Sequence, residues 1–246
     1  MYVNKAIMSN KREVFEAQIT KILDHTESIR EIFLTNQNNH QLHFRAGQFV
    51  MMQVPQDEKP IQRAYSIASD ERVRDKFDLV FKKVPGGPAS TYIWNLKVGE
   101  TIKFTGPFGR VFFPEPPAKQ IVFLNTGSGI AQHLSYLRTF CDQYPDLIYK
   151  IYFGLNNENE IYYEDVLNTF KNKYKNFSFH YVLSQPQKSW TGRKGYVQHF
   201  LDETKYKEIE TSFFLCGNGA MVKDTKKLLI ERDQIDSAKI HCEAFH

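Results

Sequence analysis

Between residues 15 and 104 the chain alternates short apolar runs with polar, glycine- or proline-bearing breaks. Segments 15–19, 29–34, 49–54, 64–68, 77–81 and 101–104 are rich in Phe, Ile, Val and Tyr, residue types that fit a pleated, half-buried surface. Gly47, Pro55, Gly86-Gly87-Pro88, Gly99 and Gly106-Pro107 separate them. Glycine accepts a positive φ and proline fixes a negative one, so these breaks read as turns. The rhythm predicts an antiparallel β-barrel or sandwich, with one helix over 89–96.

The pattern breaks at Phe113-Pro114-Glu115-Pro116-Pro117, where clustered prolines lack the N–H groups that a strand ladder needs and make a stiff connection. Beyond it the texture changes. Residues 120–124 form a continuous apolar run, followed by a glycine-rich turn and a helical pattern over 131–140, and 148–153 and 213–216 begin the same way. Buried parallel strands alternating with helices have this appearance. The expected architecture is therefore two-domain: an antiparallel β-barrel over 12–116, then an α/β parallel-sheet nucleotide-binding domain over 117–246. A chain of 246 residues suits that division.

Composition removes several alternatives. Hydrophobic residues make up 41% and charged residues 24%, so the chain can build packed cores. The net charge of +4 is small and spread along the chain, so no nucleic-acid partner is expected. Cys141, Cys216 and Cys242 are an odd, widely spaced set that fits neither a disulfide framework nor a zinc or iron–sulfur ligand set. No metal is expected, and a reducing cytoplasm is the expected setting. Residues 1–16 carry charges throughout and no apolar run reaches membrane-spanning length, so no membrane association is expected. The expected state is a monomer.

Two small-residue turns carry candidate chemistry. Asn125-Thr126-Gly127-Ser128-Gly129-Ile130-Ala131 lies between an apolar run and a helical pattern, where backbone N–H groups and a helix N-terminus can receive a pyrophosphate. The longer Gly-x-Gly-x-x-Gly fingerprint is not completed, because Gln132 holds its last place. Taken alone the turn is equally a tight connection. Leu215-Cys216-Gly217-Asn218-Gly219 repeats the arrangement after a later run, and two such turns outside the carboxyl ends of parallel strands would line one nucleotide crevice. By itself Cys216 reads as a small buried apolar group.

Taken in order, the motifs resemble the ferredoxin–NADP reductase superfamily over about residues 15–246. Arg63-Ala64-Tyr65-Ser66 matches its Arg-x-Tyr-Ser signature, preceded by Phe44-Arg45-Ala46-Gly47-Gln48-Phe49; Gly87-Pro88-Ala89-Ser90 and Gly106-Pro107-Phe108-Gly109 follow. Gly127-Ser128-Gly129-Ile130-Ala131, Tyr152-Phe153-Gly154 and Cys216-Gly217-Asn218 complete the set.

The resemblance implies FAD as bound cofactor and NADPH or NADH as substrate. Arg63 would pair with the flavin's phosphate and Tyr65 stack on its ring, with Ala64 between them and Ser66 near the atom that receives hydride. Gly87, Ala89 and Ser90 would hold the flavin pyrophosphate, and Thr126, Gly127, Ser128, Gly129, Gly217 and Asn218 the nicotinamide nucleotide. Ser66, Cys216 and Glu243 are the implied catalytic positions. Phe245, in a tail returning to the flavin, would cover the ring face that nicotinamide must reach. Ser184 and Arg193 would sit at the nucleotide 2′-position. Gln185 follows Ser184 where NADPH users often carry arginine, so the choice between NADPH and NADH stays open.

Phe108, Phe112 and Phe113 are candidates either to stack on an adenine or to seal the barrel against the second domain. The implied electron acceptor is a ferredoxin, a flavodoxin or an oxygenase component. Two alternatives remain: a reductase of free flavin, and an electron-transfer subunit of a larger complex.

Overall fold

The computed structural model of the chain describes residues 12–56 and 59–245. The first half is a six-stranded antiparallel sheet of β1 (Glu13–Asp24), β2 (Ile29–Asn36), β3 (Phe49–Val54), β4 (Ile61–Ser66), β5 (Lys76–Lys82) and β6 (Thr101–Phe108). Its order is β4-β3-β6-β1-β2-β5. Alternation along β1 puts Phe15, Ala17 and Ile19 inside, where they join Phe77, Phe104 and Leu79. A bridge between Ile67 and Leu79 brings the ends of β4 and β5 together, so the sheet curls toward closure. Helix α1 (Pro88–Asn95) packs Ala89 and Ile93 into the same core. Arg30 anchors its end by donating from Nη1 to the Ile93 carbonyl at 3.0 Å.

The second half is a six-stranded sheet of β7 (Gln120–Thr126), β8 (Ile148–Leu155), β9 (Phe177–Leu183), β10 (Arg193–Lys194), β11 (Thr211–Asn218) and β12 (Ile240–Phe245). Every pairing is parallel, in the order β10-β9-β8-β7-β11-β12. Helices α2 (Ile130–Phe140), α3 (Glu164–Lys173) and α4 (Gly219–Lys227) lie between strands. The chain builds outward from β7 through β8, then crosses to β11 on the other side. That reversal opens a crevice between the carboxyl ends of β7 and β11. The architecture is the expected barrel followed by a parallel α/β domain. One difference is β12: residues 240–245 were expected only as a tail, yet they form an edge strand. With His241 and Glu243 among its members, its apolar content is too sparse to read as a strand without its partner β11.

The two halves share a core. Every residue of α2 except Arg138 is buried, because its outer face meets the barrel rather than solvent. Ser135 donates to the Ser69 carbonyl at 2.7 Å, and Tyr136 to the Val111 carbonyl at 2.7 Å. Arg138 Nη1 reaches the Ala68 carbonyl at 2.8 Å and Asp78 Oδ2 at 2.7 Å. The proline-rich connection is pinned by Phe113, 3% exposed and stacked on Phe140 with centroids 4.4 Å apart. Of the three candidate phenylalanines Phe113 thus seals the halves together, while Phe112 lies under the Arg45 guanidinium and Phe108 stacks on Phe49. Among the described residues no helix is long and apolar enough to cross a membrane.

Candidate active site

The halves meet around one carboxylate. Parallel pairing sets Glu243 of β12 beside Cys216 of β11, and Cys216 beside Asn125 of β7. From the barrel, buried Ser66 at the end of β4 directs Oγ–H to Glu243 Oε1 at 3.5 Å. From α2, Gln132 Nε2 donates to Glu243 Oε2 at 3.0 Å and to the Gly47 carbonyl at 3.0 Å. Ser66, Cys216 and Glu243, 177 residues apart at the extremes, therefore converge. Gln132 was not among the candidates; its only sequence signal was the uncompleted glycine fingerprint.

Burial pushes the Glu243 carboxyl up to about 7, against the pull of Gln132 and Ser66, which both favour the charged form. Burial, and then the neighbouring Glu243, keep the Cys216 thiol well above its usual range, so it stays neutral. The site thus has one group that exchanges a proton near neutrality.

A stability consequence follows. The unfolded carboxyl titrates near its ordinary 4.5 and the folded one near 7, so the folded state binds this proton more tightly. Its contribution is fully present below pH 4.5 and is lost as pH rises through 7. The loss is at most about 3 kcal/mol. Urea unfolding of wild type and Glu243→Gln at pH 5 and pH 8 is expected to show the variant gaining on wild type at the higher pH; an equal difference at both would contradict a raised carboxyl.

The nucleotide turns interlock at the crevice. After β7 the chain runs through Thr126 into a single 3-10 turn at Gly127–Gly129, with Ser128 at its centre, and on into α2. Neither this turn nor the N-terminus of α2 receives a side-chain cap, which leaves N–H groups for an anion. Gly129 lies against the next strand so closely that a Cβ would sit 2.4 Å from the Cys216 carbonyl oxygen. The Asn218 N–H donates to Thr126 Oγ1 at 2.8 Å. The Asn218 side chain itself is occupied in capping α4, accepting from the Ala220 and Met221 N–H groups.

On the barrel side, Arg63 and Ala64 are exposed on the edge strand β4, and Tyr65 is half-buried. The Tyr65 ring stands edge-on to Phe81 at 4.5 Å, and burial pushes its hydroxyl up to about 12. Arg63 bonds the Gln62 carbonyl and has no ion pair among the described residues. Gly87 is the N-cap of α1 and offers no side-chain cap, with Pro88 next. Behind it Ala89 and Ser90 are buried, and Ser90 Oγ accepts from the Val84 N–H at 2.8 Å, which fixes the turn and leaves the O–H free to donate. A cation with no ionic partner among the described residues, an uncapped helix N-terminus and a partly open aromatic ring fit a ligand with an anionic phosphate chain and a flat ring.

Three candidates stand apart from this convergence. Ser184 follows β9 and is held by its N–H on the Leu155 carbonyl at 3.0 Å. Arg193 is tied to Glu203 Oε2 through Nε at 3.0 Å and to His180 Nδ1 through Nη1 at 2.8 Å, with Tyr152 and Phe200 beneath its guanidinium. Phe245 ends β12 in register with Asn218 and is 36% exposed, beside the start of α4.

Comparison with known proteins matches both halves of the chain. An oxidoreductase FAD-binding domain family matches residues 17–113, and an oxidoreductase NAD-binding domain family matches residues 123–227. Ferredoxin–NADP reductase B of Sorangium cellulosum is 30% identical over 242 residues, covering 95% of this chain and 98% of its own. The anthranilate 1,2-dioxygenase electron transfer component of Acinetobacter baylyi is 28% identical over 85% of this chain, which spans 60% of that protein's length. Among solved structures, a cytochrome P450 reductase from Amycolatopsis superposes with a TM-score of 0.87 at 26% identity, over 95% of this chain and 70% of its own.

Proposed function

Since the chain belongs to the ferredoxin–NADP reductase superfamily and joins an oxidoreductase FAD-binding domain to an NAD-binding domain, we propose that it moves hydride between NAD(P)H and bound FAD and hands electrons to a separate acceptor protein. The observation that carries this reading is the convergence of Ser66, Cys216 and Glu243 where barrel and crevice meet. Bound FAD would supply a two-electron acceptor that can also release electrons singly.

The protein's part is placement. Arg63 and the uncapped N-terminus of α1 at Gly87, Ala89 and Ser90 hold the phosphates, while Ala64 and Tyr65 border the flavin ring. Thr126, Gly127, Ser128, Gly129 and Gly217 would receive the nicotinamide nucleotide through backbone groups, and Asn218, whose N–H and side-chain oxygen are engaged, through its side-chain NH2. Ser66 offers a hydroxyl, Cys216 an uncharged, compact thiol, and Glu243 a carboxyl able to take or give a proton near neutrality. Shared core packing between the halves excludes water and fixes the distance between the two ring sites. Phe245, expected over the flavin ring, lies beside Asn218 at the end of β12 and would border the nucleotide there.

Arg63→Ala is expected to weaken FAD binding about 10- to 100-fold, the loss of one charge-assisted phosphate contact. Fluorescence titration of the apoprotein with FAD measures it, and unchanged affinity would remove Arg63 from the phosphate site.

The acceptor is of the ferredoxin, flavodoxin or oxygenase-component class, a reading supported by relatives that are reductases and dioxygenase electron transfer components. Nucleotide choice is open at Ser184, and Arg193 is partly neutralised by Glu203. The test is to release and identify the flavin, then follow NADH and NADPH oxidation with each acceptor class in turn. A colourless protein that turns over only added flavin would favour the free-flavin reading instead.

A further inference from the structure

We propose that Gln132 is a positioning residue of this site, holding the Glu243 carboxylate against Ser66 and tying both to the barrel through the Gly47 carbonyl. The inference rests on reading Ser66, Cys216 and Glu243 as the hydride-transfer site.

A primary amide carries two N–H bonds on one nitrogen, and Gln132 directs them to acceptors in opposite halves of the molecule, each at 3.0 Å. The residue is 1% exposed, so water cannot replace either bond cheaply. It is the third residue of α2, whose neighbours are packed on both sides, and the side chain cannot swing away without opening that packing. The glycine that would complete the nucleotide fingerprint at this position has no side-chain donor. Gln132 therefore converts a pyrophosphate-binding turn into a clamp that reports on the barrel.

The surroundings of Glu243 make the clamp matter. From β4 it faces Ser66, from α2 Gln132 and Tyr136, and from β11 Cys216, while His241 and Cys242 precede it on β12. Glu243 itself acts on two titratable groups from other elements, Tyr136 and Cys216, and burial keeps both neutral. Arg45, from the loop before β3, acts on Tyr136. No cation among the described residues bears on Glu243 directly, so an amide and a hydroxyl alone favour its charged form.

The test compares flavin-loaded wild type with Gln132→Met, which keeps the shape and deletes the donors, with Glu243→Gln, and with the double variant. Two readouts are followed against pH: the infrared carbonyl band of protonated Glu243, assigned by its loss in Glu243→Gln, and the rate of nicotinamide-driven flavin reduction. In Gln132→Met the infrared midpoint is expected to rise by about one pH unit, since a donor to the charged form is gone. The kinetic midpoint should move the same way, and the double variant should lack both.

A slower or less stable Gln132→Met with its infrared midpoint unmoved would overturn the proposal. If the kinetic midpoint survives in Glu243→Gln, the reading of Glu243 fails, and the infrared midpoint still decides the role of Gln132. Gln132→Glu covers the case in which the Met variant does not fold. Two carboxyls in hydrogen-bond contact should titrate as a pair with one midpoint above the wild-type value; a single unshifted midpoint would overturn the clamp.

Discussion

Gly217→Ala is expected to slow nicotinamide-driven flavin reduction by about 100-fold or more while leaving flavin content unchanged. Gly217 has φ of +131°, and a Cβ there would meet Thr126 Oγ1 at 2.3 Å, its carbonyl oxygen at 2.6 Å and its nitrogen at 2.9 Å. Two of these are backbone atoms of the neighbouring strand, so no side-chain rotation relieves the contact. The conformation alone costs an L-residue about 1–3 kcal/mol, and relief requires β7 and β11 to part where their turns interlock through the Asn218 N–H and Thr126 Oγ1. That junction floors the crevice and carries Cys216. Rapid mixing with NADH and NADPH measures the rate, and a wild-type rate would show that the crevice between β7 and β11 does not place the nicotinamide.

Arg138→Met is expected to destabilise the chain by up to about 3–5 kcal/mol, the range for leaving a buried charge, here Asp78, without its partner. Burial raises the Asp78 carboxyl, but the Arg138 charge, with hydrogen bonds from the Ser69 hydroxyl and the Arg138 guanidinium, brings it below the usual range, so Asp78 is charged and depends on its guanidinium. Arg138 also binds the Ala68 carbonyl, so its loss strikes the seam between the halves. Urea unfolding near neutral pH checks the size. Adding Asp78→Asn to Arg138→Met should recover part of the loss, because no uncompensated charge then remains buried; no recovery would mean that the pair is not what holds the seam.

How much of this could be read in the chain depends on the range over which each feature acts. The run at 49–54 coincides with β3, because its bounds are set locally by Gly47 and Pro55 and its apolar residues face the core. The segment expected at 64–68 begins earlier, at Ile61. Gln62 and Arg63 are exposed on an edge strand and give no apolar signal. β12 is hidden for a similar reason: what makes it a strand is the register with β11, not its own composition.

The site divides along the same line. Arg63, Tyr65, Ser66 and the glycine turns stand in short motifs. Their meeting with Glu243 needs the two sheets to dock, and nothing near Ser66 announces a partner 177 residues away. Gln132 was visible only as a missing glycine. Arg193, expected at the nucleotide 2′-position, is paired with Glu203 ten positions on, across a turn that the sequence pattern does not resolve. Asn218, expected at the nucleotide, spends its side-chain oxygen on the helix it begins.

On the proposed function, hydride crosses where Ser66, Glu243 and Cys216 meet. Single-turnover reduction of the bound flavin, followed anaerobically by its visible absorption after mixing with NADH or NADPH, tests it most directly when wild type is compared with Cys216→Ser. The expected result is rapid bleaching in wild type and at least about tenfold slower bleaching in the variant, at equal flavin content. Reduction at the wild-type rate in Cys216→Ser would contradict it.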